Sequence, residues 1–322
     1  MSLKITYNKL DPNSEPEKDF YSGAELIERD VEELPTLLDP IFPKVGSVAI
    51  AGGSDIGKST FLRQFAIAVS VGDRDFLGWT LNAEHNRAIV VSTEDFKDLM
   101  TITLKTFNKE RRLPAEKYNG VSFMFMIDDL FEKLENRIKD QKIDILIMDA
   151  FLDIFDGVMN DGGQVRKFLT KYDQLANKHG FLLVFNHHAG KRTQQFKPSK
   201  DNLLGSQSFE AKMRLVIEMR PDLVDDNRLH LCIVKGNYLP PEFKNESFVI
   251  ESNENRYFFN TGEREVFEHL RESVREKEDL KKLCSDLKQE GKSIREIEIE
   301  LKSQGYKISK STIARYLKEF EE

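Results

Sequence analysis

Cysteine is almost absent from this sequence: Cys232 and Cys284 are the only two in 322 residues. They lie far apart without ligand or partner spacing. That excludes a disulfide framework and a zinc site, and leaves two ordinary reduced thiols. No apolar run approaches the roughly 18 residues of a membrane span, so no membrane contact is expected. The N-terminal stretch MSLKITYNKLDPNSEPEKDF has no apolar signal core, and a cytoplasmic location is expected. There is no internal repeat and no low-complexity segment. An excess of cations is missing too. The net charge of −7 argues against a chain coated in nucleic acid, although local basic patches can hide in such a sum. With 32% charged and 39% hydrophobic residues the class is soluble and globular, and the length suits one large core with a small appendage.

Residues 1–35 are polar and acidic and read as a loosely ordered arm, with a short helix near 23–30. Between 36 and 262, apolar strand-like runs alternate with helical stretches. The strand candidates are 47–51, 87–92, 121–125, 143–148, 181–186, 215–219, 229–234 and 247–250. Helical stretches separate the first five, which predicts an α/β fold with a mostly parallel sheet covered by helices. The last three follow one another through short turns, which predicts an antiparallel extension at one edge. Residues 263–280 are dense in charge and read as a linker or connecting helix. Three short amphipathic helices are predicted near 279–290, 294–304 and 310–320, making 281–322 a small all-α domain.

Gly52-Gly53-Ser54-Asp55-Ile56-Gly57-Lys58-Ser59 fits the pattern G-x-x-x-x-G-K-[ST], with a strand at 48–51 before it and a helix-forming run at 59–70 after it. Glycines in such a P-loop let backbone N–H groups turn inward around phosphate oxygens, and the helix N-terminus adds its positive end. Lys58 is placed to reach the outer phosphates of ATP. The Ser59 hydroxyl is placed to sit on Mg²⁺, and Thr60 follows in the first helical turn. A metal-holding acid is then required. Lys142-Ile143-Asp144-Ile145-Leu146-Ile147-Met148-Asp149 is an apolar strand that ends in one. A strand buried on both faces can carry an acid only at its end, so Asp149 is the expected Mg²⁺ partner; the alternative is a cap on the next turn.

With these residues placed, 37–250 resembles the RecA-like ATPases, and within them the RepA-type hexameric helicases of plasmids and related mobile elements. Four further features carry the resemblance. Val90-Val91-Ser92-Thr93-Glu94-Asp95 ends the strand after the P-loop helix. The match implies that Glu94 is the general base with Asp95 beside it; by itself an acid here is equally compatible with a helix cap. Val184-Phe185-Asn186-His187-His188 is similar to the family's strand ending in paired histidines. Adjacent strand residues point to opposite faces, so one histidine should be functional and one packed, and His188 is the expected functional one. Leu204-Gly205-Ser206 with Arg214 nine residues after the glycine matches the family's arginine finger, which serves a neighbouring subunit; without the resemblance Arg214 is a solvated edge residue. Lys235, in Cys232-Ile233-Val234-Lys235-Gly236, matches a second cation acting across the subunit interface, or else is a surface lysine at a strand end. The family's loop after the histidines is often rich in glycine and serine. Here it is basic, with Lys191, Arg192, Lys197, Lys200 and one aromatic, Phe196. In RecA-like proteins that loop faces DNA, where cations neutralise phosphates and an aromatic ring stacks on a base. The alternative is a mobile solvated loop.

Near the C-terminus, Ser293 with Glu296 forms a capping signature, 305–309 is a turn, and Ser309 precedes Lys310-Ser311-Thr312-Ile313-Ala314-Arg315-Tyr316-Leu317-Lys318. This resembles a helix-turn-helix. Lys307, Lys310, Arg315 and Lys318, with Ser311, Thr312 and Tyr316, are candidates for phosphates and base edges of duplex DNA; a protein-contact module is the alternative. The resemblance thus implies an ATP- and Mg²⁺-dependent DNA motor, built as a homo-oligomeric ring of about six subunits, with single-stranded DNA on the core loop and duplex DNA on the tail. An ATP-switched DNA-binding regulator or accessory ATPase needs the same parts. A P-loop kinase would need an acceptor-binding lid that is not evident. The loop beside the histidines should feel the nucleotide state, and the tail beyond its charged linker should not.

Overall fold

The computed structural model describes residues 20–190, 193–205, 207–223, 225–270 and 274–319. The chain divides into two units, 1–34 and 35–322. In the first, Ser22 and Glu25 form a capping box on the short helix α1 (Gly23–Ile27), none of which is buried.

In the second unit, a ribbon of β1 (Thr36–Leu38) and β2 (Phe42–Pro43) leads into β3 (Gly46–Gly52) and α2 (Lys58–Val71). A second ribbon, β4 (Asp75–Phe76) and β5 (Trp79–Thr80), precedes β6 (Ala88–Ser92) and α3 (Lys97–Arg111). Then come β7 (Val121–Met124), α4 (Leu130–Asp140), β8 (Ile145–Asp149), α5 (Phe151–Ile154) and α6 (Gly162–His179). β9 (Leu182–His188), α7 (Gln207–Lys212) and β10 (Leu215–Pro221) complete the alternation. The chain continues through β11 (Arg228–Gly236), β12 (Glu246–Ser252) and β13 (Phe258–Val266) to α8 (Val274–Gln289), α9 (Ile294–Ser303) and α10 (Lys310–Lys318).

Nine strands make one sheet, in the order β13-β12-β11-β10-β3-β9-β8-β6-β7. From β10 through β3, β9, β8 and β6 to β7 every pairing is parallel. From β10 to β13 every pairing is antiparallel. This is the α/β architecture expected, a large mostly parallel sheet flanked by helices, and it fits a RecA-like domain. Parallel strands buried on both faces need apolar side chains throughout, which is why β3 and β8 are buried along their whole length. Alternate residues feed two cores. Val48, Ile50, Val90, Ile147 and Val184 pack under α2 with Phe61 and Phe65. Ala49, Val91, Met148, Leu183 and Phe185 pack on the opposite face with Leu134 and Ile138 of α4 and Val165 and Leu169 of α6. Because β3, β6, β8 and β9 run parallel, their carboxyl ends share one rim, where open α/β sheets place their ligands.

Two expectations need correction. The charged stretch 263–280 is not one linker. Its start completes β13, and α8 begins at Val274. β13 was invisible because it is an edge strand, exposed along most of its length. It carries Glu263, Arg264 and Glu265 where an interior strand would carry apolar residues, and charge on an edge discourages pairing with other chains. β10 is also not merely the first strand of the antiparallel extension, because it pairs in parallel with β3.

α8, α9 and α10 share a core that includes Leu287, Ile297, Leu301, Ile313 and Tyr316, with Cys284 buried inside it. Ser293 and Glu296 form a capping box on α9, and the Ser309 side chain accepts from Thr312 N–H at the start of α10.

A buried side chain of α2 hydrogen-bonds the backbone of the edge strand. The Gln64 amide donates to the Phe258 carbonyl at 2.8 Å and accepts from the Phe258 N–H at 2.9 Å. Replacing Gln64 with Leu keeps the bulk and strands both backbone groups. The expected loss is about 2–4 kcal/mol of unfolding free energy, read by urea denaturation. A change under about 0.5 kcal/mol would mean that the pair contributes nothing net.

Candidate functional site

The loop between β3 and α2 is shaped by its glycines. A Cβ on Gly52 would meet Ile56 Cδ1 at 2.4 Å and the Met219 carbonyl at 2.7 Å. Gly57 adopts φ +90° as the N-cap of α2 and has no side chain with which to cap it. The first-turn N–H groups of α2 therefore have no side-chain acceptor at the cap and suit an anion. Lys58 is buried, with its Nζ donating to the Gly53 carbonyl at 2.5 Å. Burial pushes its ammonium below the usual lysine range, against the upward pull of Asp149, Glu94 and Asp55. Ser54 and Asp55 are exposed at the tip of the loop.

Asp149 ends β8 and is 3% exposed. Its Oδ1 accepts from the Ser59 hydroxyl at 3.0 Å and from the Asn186 amide, while its Oδ2 lies 3.6 Å from the Arg63 guanidinium. Asn186 also donates to Ser59 Oγ at 3.1 Å. Ser92 pairs with Asp149 across β6 and β8. Ser92 Oγ, Asn186 Oδ1 and Arg63 Nε are buried without a hydrogen-bond partner among the described residues. A hydroxyl beside a carboxylate, with further orphan oxygens in the same row, is a hard-oxygen donor set that fits Mg²⁺. Ser59 and Asp149 would hold the ion, with its other ligands from nucleotide and water. Bound there, it would offset negative charge on the phosphates.

Glu94 is the more open acid, with 55% of its side chain exposed and its Oε1 4.0 Å from His188 Nε2. Asp95 instead forms an ion pair with Arg63. The paired histidines lie in different surroundings. His188 pairs in register with Gly52, on the P-loop side. His187 is fully buried against Phe209 and Phe151, and its Nε2 lies 2.8 Å from the Leu204 carbonyl.

The two cations expected to act across an interface lie at the other end of the sheet. The Arg214 N–H donates to the Ser47 carbonyl at 2.8 Å, at the start of β3, and the P-loop follows the end of that strand. Along β3 the two are roughly 20 Å apart. Arg214 is exposed and makes no ion pair among the described residues. Lys235 is close by, since Val216 pairs with it across β10 and β11. Its Nζ donates to the Glu210 carbonyl at 2.7 Å and pairs with the Glu210 carboxylate at 2.9 Å, so here it closes the end of α7.

Of the expected DNA contacts, Lys191 and Arg192 lie outside the described residues; so does Ser206 of the glycine–serine step before Arg214. Phe196 is 61% exposed. Lys197 pairs with Glu268 at 3.0 Å and Lys200 with Glu210 at 3.7 Å, all four side chains being at least partly accessible. On α10, Lys310 lies 3.8 Å from Glu298 and Arg315 3.0 Å from Asp226. Ser311 is exposed beside Ser309. Thr312 and Tyr316 need correction: they are 0% and 2% exposed, so they belong to the core of the three helices and cannot reach a base edge. Their helical spacing from Ile313 puts them on the inner side, which their polar atoms disguised.

The sequence reading missed Arg63, Asn186 and Thr93. A signal existed for the first two. Arg63 interrupts the apolar run of α2 one turn beyond Ser59, and Asn186 ends an apolar strand as Asp149 does.

A family model described as "AAA domain" matches residues 16–194, more than half of the chain, from the N-terminal arm through the P-loop, Glu94, Asp149 and the histidine pair. No curated protein matches. Among the described residues no helix is long and apolar enough to cross a membrane.

Burial holds the His187 imidazole down to about 4, from an ordinary 6.5. Between those values the folded protein binds fewer protons than the unfolded chain. The stability that His187 contributes is therefore complete above pH 6.5 and lost as pH falls through about 4. Thermal unfolding across that window should fall more steeply for the native protein than for His187→Gln, which cannot charge. Parallel curves would mean that His187 titrates normally.

Proposed function

The chain belongs to the AAA-domain family and is a P-loop ATPase, and from that premise we propose that it is an ATP-driven DNA motor resembling the RepA-type helicases, working as a ring of identical subunits. The observation that carries this reading is the position of Arg214. It is a solvent-facing guanidinium without an ion-pair partner among the described residues, at the sheet end away from its own P-loop. It cannot serve its own site, but in a head-to-tail ring it would face the neighbour's. Lys58 binds the outer phosphates, Glu94 accepts the proton of the attacking water, and His188 lies beside Glu94 where loss of the terminal phosphate would be felt. The exposed Phe196 ring and the ammonium groups of Lys197 and Lys200 offer stacking and phosphate contacts to a single strand. The helices α8–α10 form the duplex-binding helix-turn-helix through Lys310, Ser311 and Arg315.

The deciding experiment is unwinding of forked DNA with ATP and Mg²⁺. Strand separation is expected, and Lys58→Ala should abolish it together with ATP turnover. DNA-stimulated hydrolysis without strand separation would instead favour an ATP-switched DNA-binding regulator.

Arg214→Ala has intact P-loops without fingers, and Lys58→Ala has fingers with dead P-loops. Each should be inactive alone, and verified hetero-oligomers of the two should recover part of the ATPase activity. No recovery in such mixtures would remove Arg214 from the neighbour's site.

A further inference from the structure

We propose that Arg63 is a positioning residue that holds, through Asp95, the turn carrying Glu94; the inference rests on the ATPase reading of the same site. Glu94 lies on a bend beyond β6, not on a regular element, and among the described residues its carboxylate makes no ion pair closer than the 4.0 Å contact with His188. A general base must nevertheless sit within hydrogen-bond reach of the attacking water, and loops hold such geometry less precisely than helices or strands. Here both neighbours of Glu94 are tethered. On one side, the Thr93 N–H donates to the Asp149 carbonyl at 2.8 Å. The Thr93 hydroxyl accepts from the Ala150 N–H at 3.1 Å and donates to Asp153 Oδ2 at 2.7 Å. On the other side, the Asp95 carboxylate is bound by Arg63, and both side chains are largely buried, 14% and 9% exposed.

Arg63 projects from α2 one turn beyond Ser59, and the same guanidinium reaches Asp149 at 3.6 Å. The helix that supplies the P-loop lysine and the Mg²⁺ hydroxyl therefore also fixes the metal acid and the turn of the base. A buried guanidinium is costly to place and adds little to packing that an apolar residue would not. Its two carboxylate partners give it a role beyond filling space.

The test uses the full chain, with steady-state ATP hydrolysis in Mg²⁺ and binding of a fluorescent ATP analogue. Arg63→Met and Asp95→Asn should each lower kcat by about 10–100-fold, the range of a displaced catalytic group, with KM and analogue affinity changed less than about threefold. The double variant should be no worse than the poorer single one, because both remove the same contact. Arg63→Lys, which keeps the charge, should recover part of the loss. Glu94→Gln should be dead at every pH, whereas Asp95→Asn should keep the native pH profile at reduced height. If Arg63→Met fails to fold, Asp95→Asn and Asp95→Ser carry the test: both must bind the analogue and lose turnover. Full activity of Asp95→Asn, a multiplied loss in the double variant, or a loss confined to KM would overturn the proposal. So would an Asp95→Asn variant as dead as Glu94→Gln beside a fully active Arg63→Met, since Asp95 would then be the base. If the native protein itself hydrolyses nothing, the ATPase reading falls and the clamp falls with it. If the native protein turns over and Arg63→Met matches it, the clamp falls alone.

Discussion

A carboxylate buried at the end of β8 is the constraint on which the rest of this molecule depends. Asp149 is almost inaccessible, and an ion removed from water to that degree costs several kcal/mol unless neighbours compensate it. Two elements supply the compensation to the acid on β8: β9 brings the Asn186 amide, and α2 brings the Ser59 hydroxyl and the Arg63 guanidinium. Ser59 and Arg63 are four residues apart, so a single helical face delivers both, and α2 must lie across β8 to do it. That placement also requires the crossover from β3, over β9 and β8, to β6. The strand order and the polar site are thus two statements of one geometry.

What was legible in the sequence follows from how local each signal is. The P-loop and the strand that ends in Asp149 are contiguous patterns in which glycine spacing or apolar run length is itself the physical requirement. Alternating strands and helices likewise predict a parallel sheet without knowledge of any contact. The edge strand β13 was not legible because an exposed edge need not be apolar, and its charges look like those of a linker. Arg63 and Asn186 were not recognised because their meaning depends on Asp149, which is distant in sequence and adjacent only after folding. Thr312 and Tyr316 misled in the opposite way, since side chains that can hydrogen-bond also fill small cores.

The two ends of a parallel sheet are chemically different, and this molecule uses the difference. The carboxyl ends of β3, β6, β8 and β9 gather the P-loop, Glu94, Asp149 and His188. The opposite rim, where β3 and β10 begin and β11 ends, carries Arg214 and Lys235. Within one chain the two rims cannot meet, because strands of five to seven residues hold them apart. Lys235 is further restrained, since leaving Glu210 and the last carbonyls of α7 would expose partners that it now satisfies. Among the described residues Arg214 has no such bond to break, so of the two cations it is the one that can engage another group without loss.

A second buried pair ties the loop after the histidine strand to the sheet and to the turn that follows β13. Arg220 and Glu218 face the same side of β10, with 3% and 1% of their side chains exposed. Glu218 accepts from the Ser199 N–H and the Asn202 amide. Arg220 donates to the carbonyls of Thr193, Phe196 and Leu270 at 2.9, 2.6 and 3.1 Å. One guanidinium therefore holds both the loop after the histidine strand and the turn 267–270 after β13. Charge-assisted bonds of this kind contribute about 1.5–3 kcal/mol each, and lifting the loop would break the Arg220 bonds to Thr193 and Phe196 and the Glu218 bonds to Ser199 and Asn202 while leaving both charges buried. The loop backbone is accordingly fixed at Thr193 and Phe196, while the Phe196 ring and the Lys197 and Lys200 side chains stay in solvent. Fixing Thr193 and Phe196 through backbone carbonyls leaves those two residues' side chains out of the buried pair, so the anchor depends on backbone geometry rather than on side-chain identity.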